Sequence, residues 1–268
     1  MDGRWVEIGD GVLVRRYAEL DLSVGLVVGG ERCLGVDTRG DSSQGAELAA
    51  AVREVTSLPW AVMITHAHFD HCFGTSAFLP TLVWAHQRCA IDLAENGQPQ
   101  RETWAEQYRA QGEEDTAMRI AATPIVLPSS LVVDSAELDL GGRTVELAHL
   151  GRGHTDHDLV LRVRDADVVF AGDLVEHGAP PAFEDSFPLE WPDTVARILE
   201  PRAGTVVPGH GDPVPERFVR AQHAELAELA ALGRALAAGE LDLATALRRS
   251  PFPDTTTRTA LARVVLPR

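Results

Sequence analysis

The sequence predicts an α+β fold in four layers: an αβ/βα sandwich of two face-to-face β-sheets with helices on their outer sides. Two observations point to it. Strand-like runs followed by a helix and a lone apolar strand occur twice, once in each half of the chain. Polar or amphipathic helix-prone segments follow each group and can cover the sheet face that would otherwise stay open. With 268 residues the chain can bury a large shared core. Residues 1–268 therefore read as a single domain, with a helical insertion at about 88–122 and C-terminal helices at about 214–248.

The elements follow in order. "WVEIGDGVLVRR", "LSVGLVVGG" and "CLGVDT" have the β-branched, Gly-punctuated character of strands, and "GGER" joins the last two as a tight hairpin. In "SSQGAELAAAVREV", Ser42 or Ser43 is the expected N-cap, followed by apolar residues at helical spacing. "WAVMI" is a short buried strand ending at Thr65, and "TLVWAH" is the next strand. The insertion is polar and helix-prone, punctuated once by Gly97-Gln98-Pro99. A second strand group follows: "PIVL", "AELDLGG", "RTVELAHL", "DLVLRVRD" and "ADVVFAGD". A helix near 193–199, the strand "TVVPGHG" and an Ala/Leu-rich amphipathic helix from 216 complete the order.

Composition narrows the function. Forty acidic residues against 24 basic ones give a net charge of -16, which repels polyphosphate and disfavours nucleic acid as a partner. No apolar run approaches bilayer length, and "MDGRWVEIGDG" has neither a basic start nor an apolar signal region. Cys33, Cys72 and Cys89 are odd in number and form no C-x-x-C pair, so reduced thiols are the default. The expectation is a soluble cytoplasmic protein that acts on a small molecule and has no membrane partner; the oligomeric state stays open.

The densest chemistry lies in "THAHFDHCFG", directly after the strand "WAVMI". If the chain stays extended, His66 and His68 point the same way, because side chains alternate along extended backbone. Asp70 and His71 then sit where the chain turns toward "CFGTSAF" and aim at a second nearby point. Two histidines for one ion and an Asp–His pair for another is the natural division, and imidazoles favour zinc or similar metals. A purely structural role would require separate partners for four polar side chains at one strand end. Three more ligand types sit at turns beside glycine: His154 in "GRGHTDHD", Asp173 ending "VVFAGD" and His210 in "TVVPGHG".

The motifs THAHFDH, GHT, GD and PGHG, in this order, resemble the metallo-β-lactamase-fold hydrolase superfamily over roughly residues 5 to 215. The resemblance implies the same four-layer sandwich, with metals at one edge between the sheets. It implies that His66, His68 and His154 hold a first metal, that Asp70, His71 and His210 hold a second, and that Asp173 bridges them. Two zinc ions per chain are expected, with iron or manganese as possible substitutes. A hydroxide shared by the two ions would attack the carbonyl. Asp70 is the expected catalytic residue, both a ligand and the group placed to orient the nucleophile or take its proton.

Thr65, Thr155, Asp37 and Asp158 are candidates for orienting the imidazoles. His157 stands where many relatives carry Gly, so it faces either pocket or solvent. His177, four residues past Asp173, reaches substrate or is an exposed loop residue. His86, His149 and His223 read as structural. The insertion and loop 174–191 are expected to wall the pocket, with Trp84, Trp104, Phe183 and Trp191 as apolar candidates.

Position 173 separates the hydrolases. β-Lactamases of this fold usually carry Cys or Ser in that region, whereas Asp173 looks more like thioesterases of the glyoxalase II type and lactonases. Tyr17 and Tyr108 are the only tyrosines and no lysine-rich segment follows Asp173, so a glutathione thioester is not supported. The expected function is a dinuclear zinc hydrolase acting on a small ester, thioester, lactone or amide. The alternatives are a mononuclear iron persulfide dioxygenase, which "GHTD" also resembles, and a β-lactam-hydrolysing enzyme. Phosphodiesterase and ribonuclease relatives suit the charge of -16 poorly, and a non-catalytic binding module sits badly with a full ligand set.

Overall fold

The computed structural model describes residues 3–200 and 204–265. The expected domain span also includes residues 1, 2, 201–203 and 266–268, which lie outside the described residues.

Seven strands form the first sheet in sequence order: β1 (Trp5–Gly9), β2 (Val12–Arg16), β3 (Ser23–Val28), β4 (Cys33–Val36), β5 (Trp60–Met63), β6 (Val83–His86) and β7 (Ser130–Val132). Pairing is antiparallel from β1 to β4 and parallel from β4 to β7. Parallel neighbours require crossovers, and helices supply them. α1 (Ser42–Val55) joins β4 to β5, the short α2 (Phe69–Cys72) follows β5, and α3 (Gln87–Ala110) and α4 (Glu114–Ala122) lie between β6 and β7.

The second sheet runs β13-β12-β11-β10-β9-β8, from β8 (Ser135–Asp139), β9 (Thr144–Ala148), β10 (Val160–Val163), β11 (Val168–Glu176), β12 (Thr205–His210) and β13 (Val214–Pro215). Only β11 and β12 pair in parallel, with α5 (Trp191–Ile198) between them. α6 (Glu216–Ala237), α7 (Leu243–Arg249) and α8 (Asp254–Val265) follow. α8 lies beyond the stretch in which C-terminal helices were expected.

Three apolar clusters show the four layers. Val14, Leu34 and Met63 of the first sheet meet Leu147, Leu161 and Phe170 of the second in a shared core. Behind the first sheet, Leu26, Val62 and Ile64 pack against Leu48, Leu93 and Ile120 of the helices. Behind the second, Val169, Ala171 and Val206 pack against Trp191, Val195 and Leu229. β11 shows the alternation directly: Val168 and Phe170 face the other sheet, while Val169 and Ala171 face the helices. None of the described helices is long and apolar enough to cross a membrane. The three cysteines are buried and unpaired.

Three local expectations are corrected. The N-cap of α1 is Asp41, whose Oδ1 accepts from Gln44 N at 2.8 Å; the amide of Ser42 instead donates to Thr123 Oγ1. "PIVL" forms no strand, because Pro124 and Pro128 frame it and lack ladder donors, and pairing with β6 begins at Ser130. Gly97-Gln98-Pro99 does not break α3, which runs through Pro99. A Cβ at Gly97 would stand 2.9 Å from Ile125 Cγ2, so the small residue lets this helix approach the 124–127 segment.

Candidate metal centre

β5 ends at Met63, and instead of staying extended the chain bends through 65–67 before His68, which precedes α2 with ψ of 145°. His66 and His68 project from this bent connection, Asp70 and His71 from the first turn of the helix. His154 arrives from the turn between β9 and β10, Asp173 from β11 and His210 from the end of β12. Seven side chains from four separate segments meet at one end of the sandwich.

They form two groups. His66, His68, His154 and Asp173 offer atoms that all lie within 4.8 Å of one another, and so do Asp70, His71 and His210. In the first, His68 Nδ1 is 3.0 Å from His66 Nε2 and 2.9 Å from His154 Nε2. In the second, His71 Nε2 is 3.3 Å from His210 Nε2, and Asp70 Oδ2 is 3.6 and 3.4 Å from the same two atoms. Asp173 faces both groups. Its Oδ2 stands 3.6 Å from His66, 3.5 Å from His154 and 3.4 Å from His210, and its Oδ1 stands 3.3 Å from His71.

The far nitrogen of every ring is engaged. Asp37 Oδ2 takes His71 Nδ1 at 2.8 Å, and Leu20 O takes His210 Nδ1 at 2.7 Å. Ala182 O takes His154 Nδ1 at 3.3 Å, Asp185 Oδ2 takes His68 Nε2 at 3.0 Å, and Thr65 Oγ1 meets His66 Nδ1 at 3.0 Å. A ring that is neutral with its proton on the far side presents a lone pair inward, the form suited to a cation between the rings. The buried Asp173 Oδ1 has no hydrogen-bond partner, which agrees with the same requirement. Ring nitrogens about 3.3 Å apart are what two ligands on one tetrahedral zinc would show, so the residues fit a metal.

The electrostatics differ from ligand candidate to ligand candidate: burial opposes charge on His68, yet Asp185 raises its pKa. Burial holds His66 well below its ordinary pKa and takes His154 down to about 4. Burial also opposes charge on His71 and His210, but the carboxylates of Asp173 and Asp70 prevail, raising His71 well above its usual value and His210 to about 10. Asp173 is held well below the carboxylate range: burial works against its charge, and His210, His71 and His66 outweigh it.

The supporting residues separate into those that touch a ligand and those that shape the turn. Asp37 also accepts from Thr65 N at 2.8 Å and Thr65 Oγ1 at 2.9 Å, from backbone with φ of 64°. Thr155 and Asp158 bond each other, at 2.9 Å through Thr155 N and 2.7 Å through its hydroxyl, and so fix the turn that carries His154. Burial raises the Asp158 carboxyl to about 7. His157 faces neither pocket nor solvent: buried, its Nε2 accepts from Ala67 N at 3.1 Å and clamps the loop between His66 and His68. His177 lines the pocket, and its Nδ1 accepts from Asp212 N at 3.1 Å. His86 and His149 stack at 4.3 Å away from the centre.

A cavity of about 1050 Å³ opens beside the two groups. α3 supplies one wall, including Gln100 and Trp104, and the segment 176–185 supplies another. Trp104 is the one expected aromatic that lines it. Phe183 and Trp191 are core residues, the indole lying behind His154 with a ring distance of 5.7 Å, and Trp84 belongs to the core between the sheets. Asp185 and Glu176 were not anticipated. Asp185 lies in an irregular loop where spacing carries no signal. Strand alternation would turn Glu176 away from Asp173, but the register of β11 shifts between Gly172 and Glu176 and brings it to the same cavity.

Comparison with known proteins agrees with this geometry. The family model described as the metallo-beta-lactamase superfamily matches residues 20–210. No curated protein matches the chain. Among solved structures, a metallo-beta-lactamase from Pontibacter korlensis is 20% identical, with a TM-score of 0.66 over 84% of this chain and 98% of its own. One from Hirschia baltica is 18% identical, with a TM-score of 0.66 over 84% and 97%. One from Pseudomonas aeruginosa, in a mono-zinc form, is 18% identical, with a TM-score of 0.65 over 86% and 96%. Fold, motif order and family match converge: the chain belongs to the metallo-beta-lactamase superfamily.

Proposed function

We propose that this protein is a dinuclear zinc hydrolase, acting on a small ester, thioester, lactone or amide. The observation that carries this reading is Asp173, which stands between two groups of inward-facing imidazoles whose outer nitrogens are already engaged. His66, His68 and His154 would hold one metal, Asp70, His71 and His210 the other, and Asp173 would face both. Bound there, two divalent cations would supply Lewis acidity and bring the pKa of a shared water toward neutrality.

The chain's own groups do the positioning. Asp70 lines the cavity, which supports reading it as the group that would orient the attacking water and take its proton. Asp37, Asp185 and the carbonyls of Leu20 and Ala182 keep the imidazoles in one tautomer and orientation. Net charge and the acidic cavity support a small-molecule substrate over a nucleic acid, and buried unpaired cysteines support a cytoplasmic setting.

A panel of thioesters, lactones, esters, amides, β-lactams and phosphodiesters, run with and without chelator alongside metal analysis, tests the proposal. Expected are two zinc ions per chain and hydrolysis that chelator abolishes and zinc restores. β-Lactams belong in the panel because the structural neighbours carry that name. One iron per chain with oxygen consumption, or turnover indifferent to chelator, would overturn it.

A further inference from the structure

Residues 64–68, between β5 and α2, belong to neither strand nor helix. Backbone groups in such a bend must find partners outside the regular ladders. Buried Ala67, the residue between His66 and His68, finds both of its partners on distant side chains. Its N–H donates to His157 Nε2, and its carbonyl accepts from Gln100 Nε2 of α3 at 3.1 Å. About one turn along the same helix, Trp104 stacks on Phe69 with ring centroids 4.2 Å apart. α3 therefore grips the chain on both sides of His68.

His68 is the ligand candidate that needs such a grip. Its side chain is 29% exposed, against 1% for His66 and 2% for His154. Close packing fixes those two rings, whereas His68 depends on its own backbone and on Asp185. Gln100 itself points the same way. It lines the cavity, and its Oε1 is buried without a hydrogen-bond partner. A stranded acceptor destabilises the fold, so an amide at this place has its use in the donor that Ala67 receives. The second metal group rests on a different support: Asp70 and His71 lie in α2, and Asp37 holds the His71 ring.

We propose that Gln100 is a positioning residue for the first metal group. By holding the Ala67 carbonyl it sets the directions of His66 and His68, so zinc affinity at His66, His68 and His154 depends on the α3 wall. Affinity at Asp70, His71 and His210 does not. The proposal rests on the metal assignment of the hydrolase reading and makes no use of the reaction.

The test needs no turnover. Gln100→Leu removes the donor and the stranded acceptor together, and Gln100→Met does the same with a side chain of the original length. Gln107→Leu, about two turns along the same cavity wall, is the control. Competition with a chromophoric chelator gives the zinc dissociation constants, and nitrogen NMR of histidine-labelled protein shows which rings take up metal at each step. In both Gln100 variants the first group should bind zinc about tenfold more weakly. The rings of His66, His68 and His154 should respond at higher zinc, while His71 and His210 follow the parent. The melting temperature of the metal-free protein should stay near the parent's, because the lost bond and the relieved acceptor offset each other. Gln107→Leu should match the parent throughout. Unchanged affinity at the first group overturns the proposal. So does an equal loss at both groups, or metal-free protein that melts far below the parent or does not fold in both variants, since either marks a residue of general stability. Parent affinity in the variants would leave the hydrolase reading standing; selective weakening in a protein that hydrolyses no ester would defeat that reading and leave this proposal in place.

Discussion

Asp37 concentrates three duties in one side chain. It caps the Thr65 amide, holds the Thr65 hydroxyl and carries His71, all from left-handed backbone that a non-glycine residue adopts at a cost. In Asp37→Asn the amide nitrogen must face one of three donors, so a donor opposes a donor wherever the group turns. Zinc affinity should fall about 10- to 100-fold, read by chelator competition. Unchanged affinity would show that Asp37 does not orient His71. His157→Ala removes the acceptor of Ala67 N in the loop that presents His66 and His68. A loss of about 1–3 kcal/mol in urea unfolding is expected, and none would mean that the loop holds itself.

Elements meet at two seams, one beside the site and one away from it. α1 and the 3₁₀ segment Phe73–Phe78 touch backbone to backbone through Gly45 and Gly74. A Cβ at Gly74 would stand 1.9 Å from Thr38 O, whose own amide donates to His71 O at 2.7 Å. Gly74→Ala should therefore cost about 3 kcal/mol or more and lower the melting temperature together with metal affinity, because the strain runs directly into His71. The second seam is His86, at the end of β6, stacked on His149 just past β9. Burial lowers His86 to about 4, helped by the neighbouring His149 ring; His149 is lowered too, burial being the first cause. The folded state disfavours protonating them, so their contribution is complete above about pH 6.5 and is lost as pH falls toward 4. The unfolding free energy from urea titrations should fall between pH 7.5 and 4.5 by about 1–2 kcal/mol more in the parent than in His86→Gln/His149→Gln. An identical pH dependence would exclude the stack as its source.

Over the whole molecule, the candidate centre joins the two sheets: His66, His68, Asp70 and His71 come from the first half of the chain, and His154, Asp173 and His210 from the second. Metal removal should therefore weaken the folded state itself. Zinc at about 1000 times its dissociation constant stabilises a folded protein by about 4 kcal/mol, so chelator should lower the melting temperature and added zinc restore it. A melting temperature indifferent to both would mean that the groups do not bind metal in the folded chain.

Much of this was written locally. Apolar alternation placed the strands, turn glycines marked their ends, and ligand-type residues at those ends named His66, His68, Asp70, His71, His154, Asp173 and His210 as candidates. Such signals work because periodicity and turn chemistry act over a few residues, within reach of a reading along the chain. The N-cap at Asp41 and the unpaired "PIVL" went astray only where a neighbouring carboxylate or two prolines outweighed the pattern. What folding alone decided was which turns meet. Asp185 under His68, the Leu20 carbonyl under His210 and His157 clamping Ala67 come from packing one sheet on the other, and an irregular β11–β12 register turns Glu176 into the cavity. Contacts between residues far apart in the chain leave no mark on local spacing, and that is why they became visible only in three dimensions.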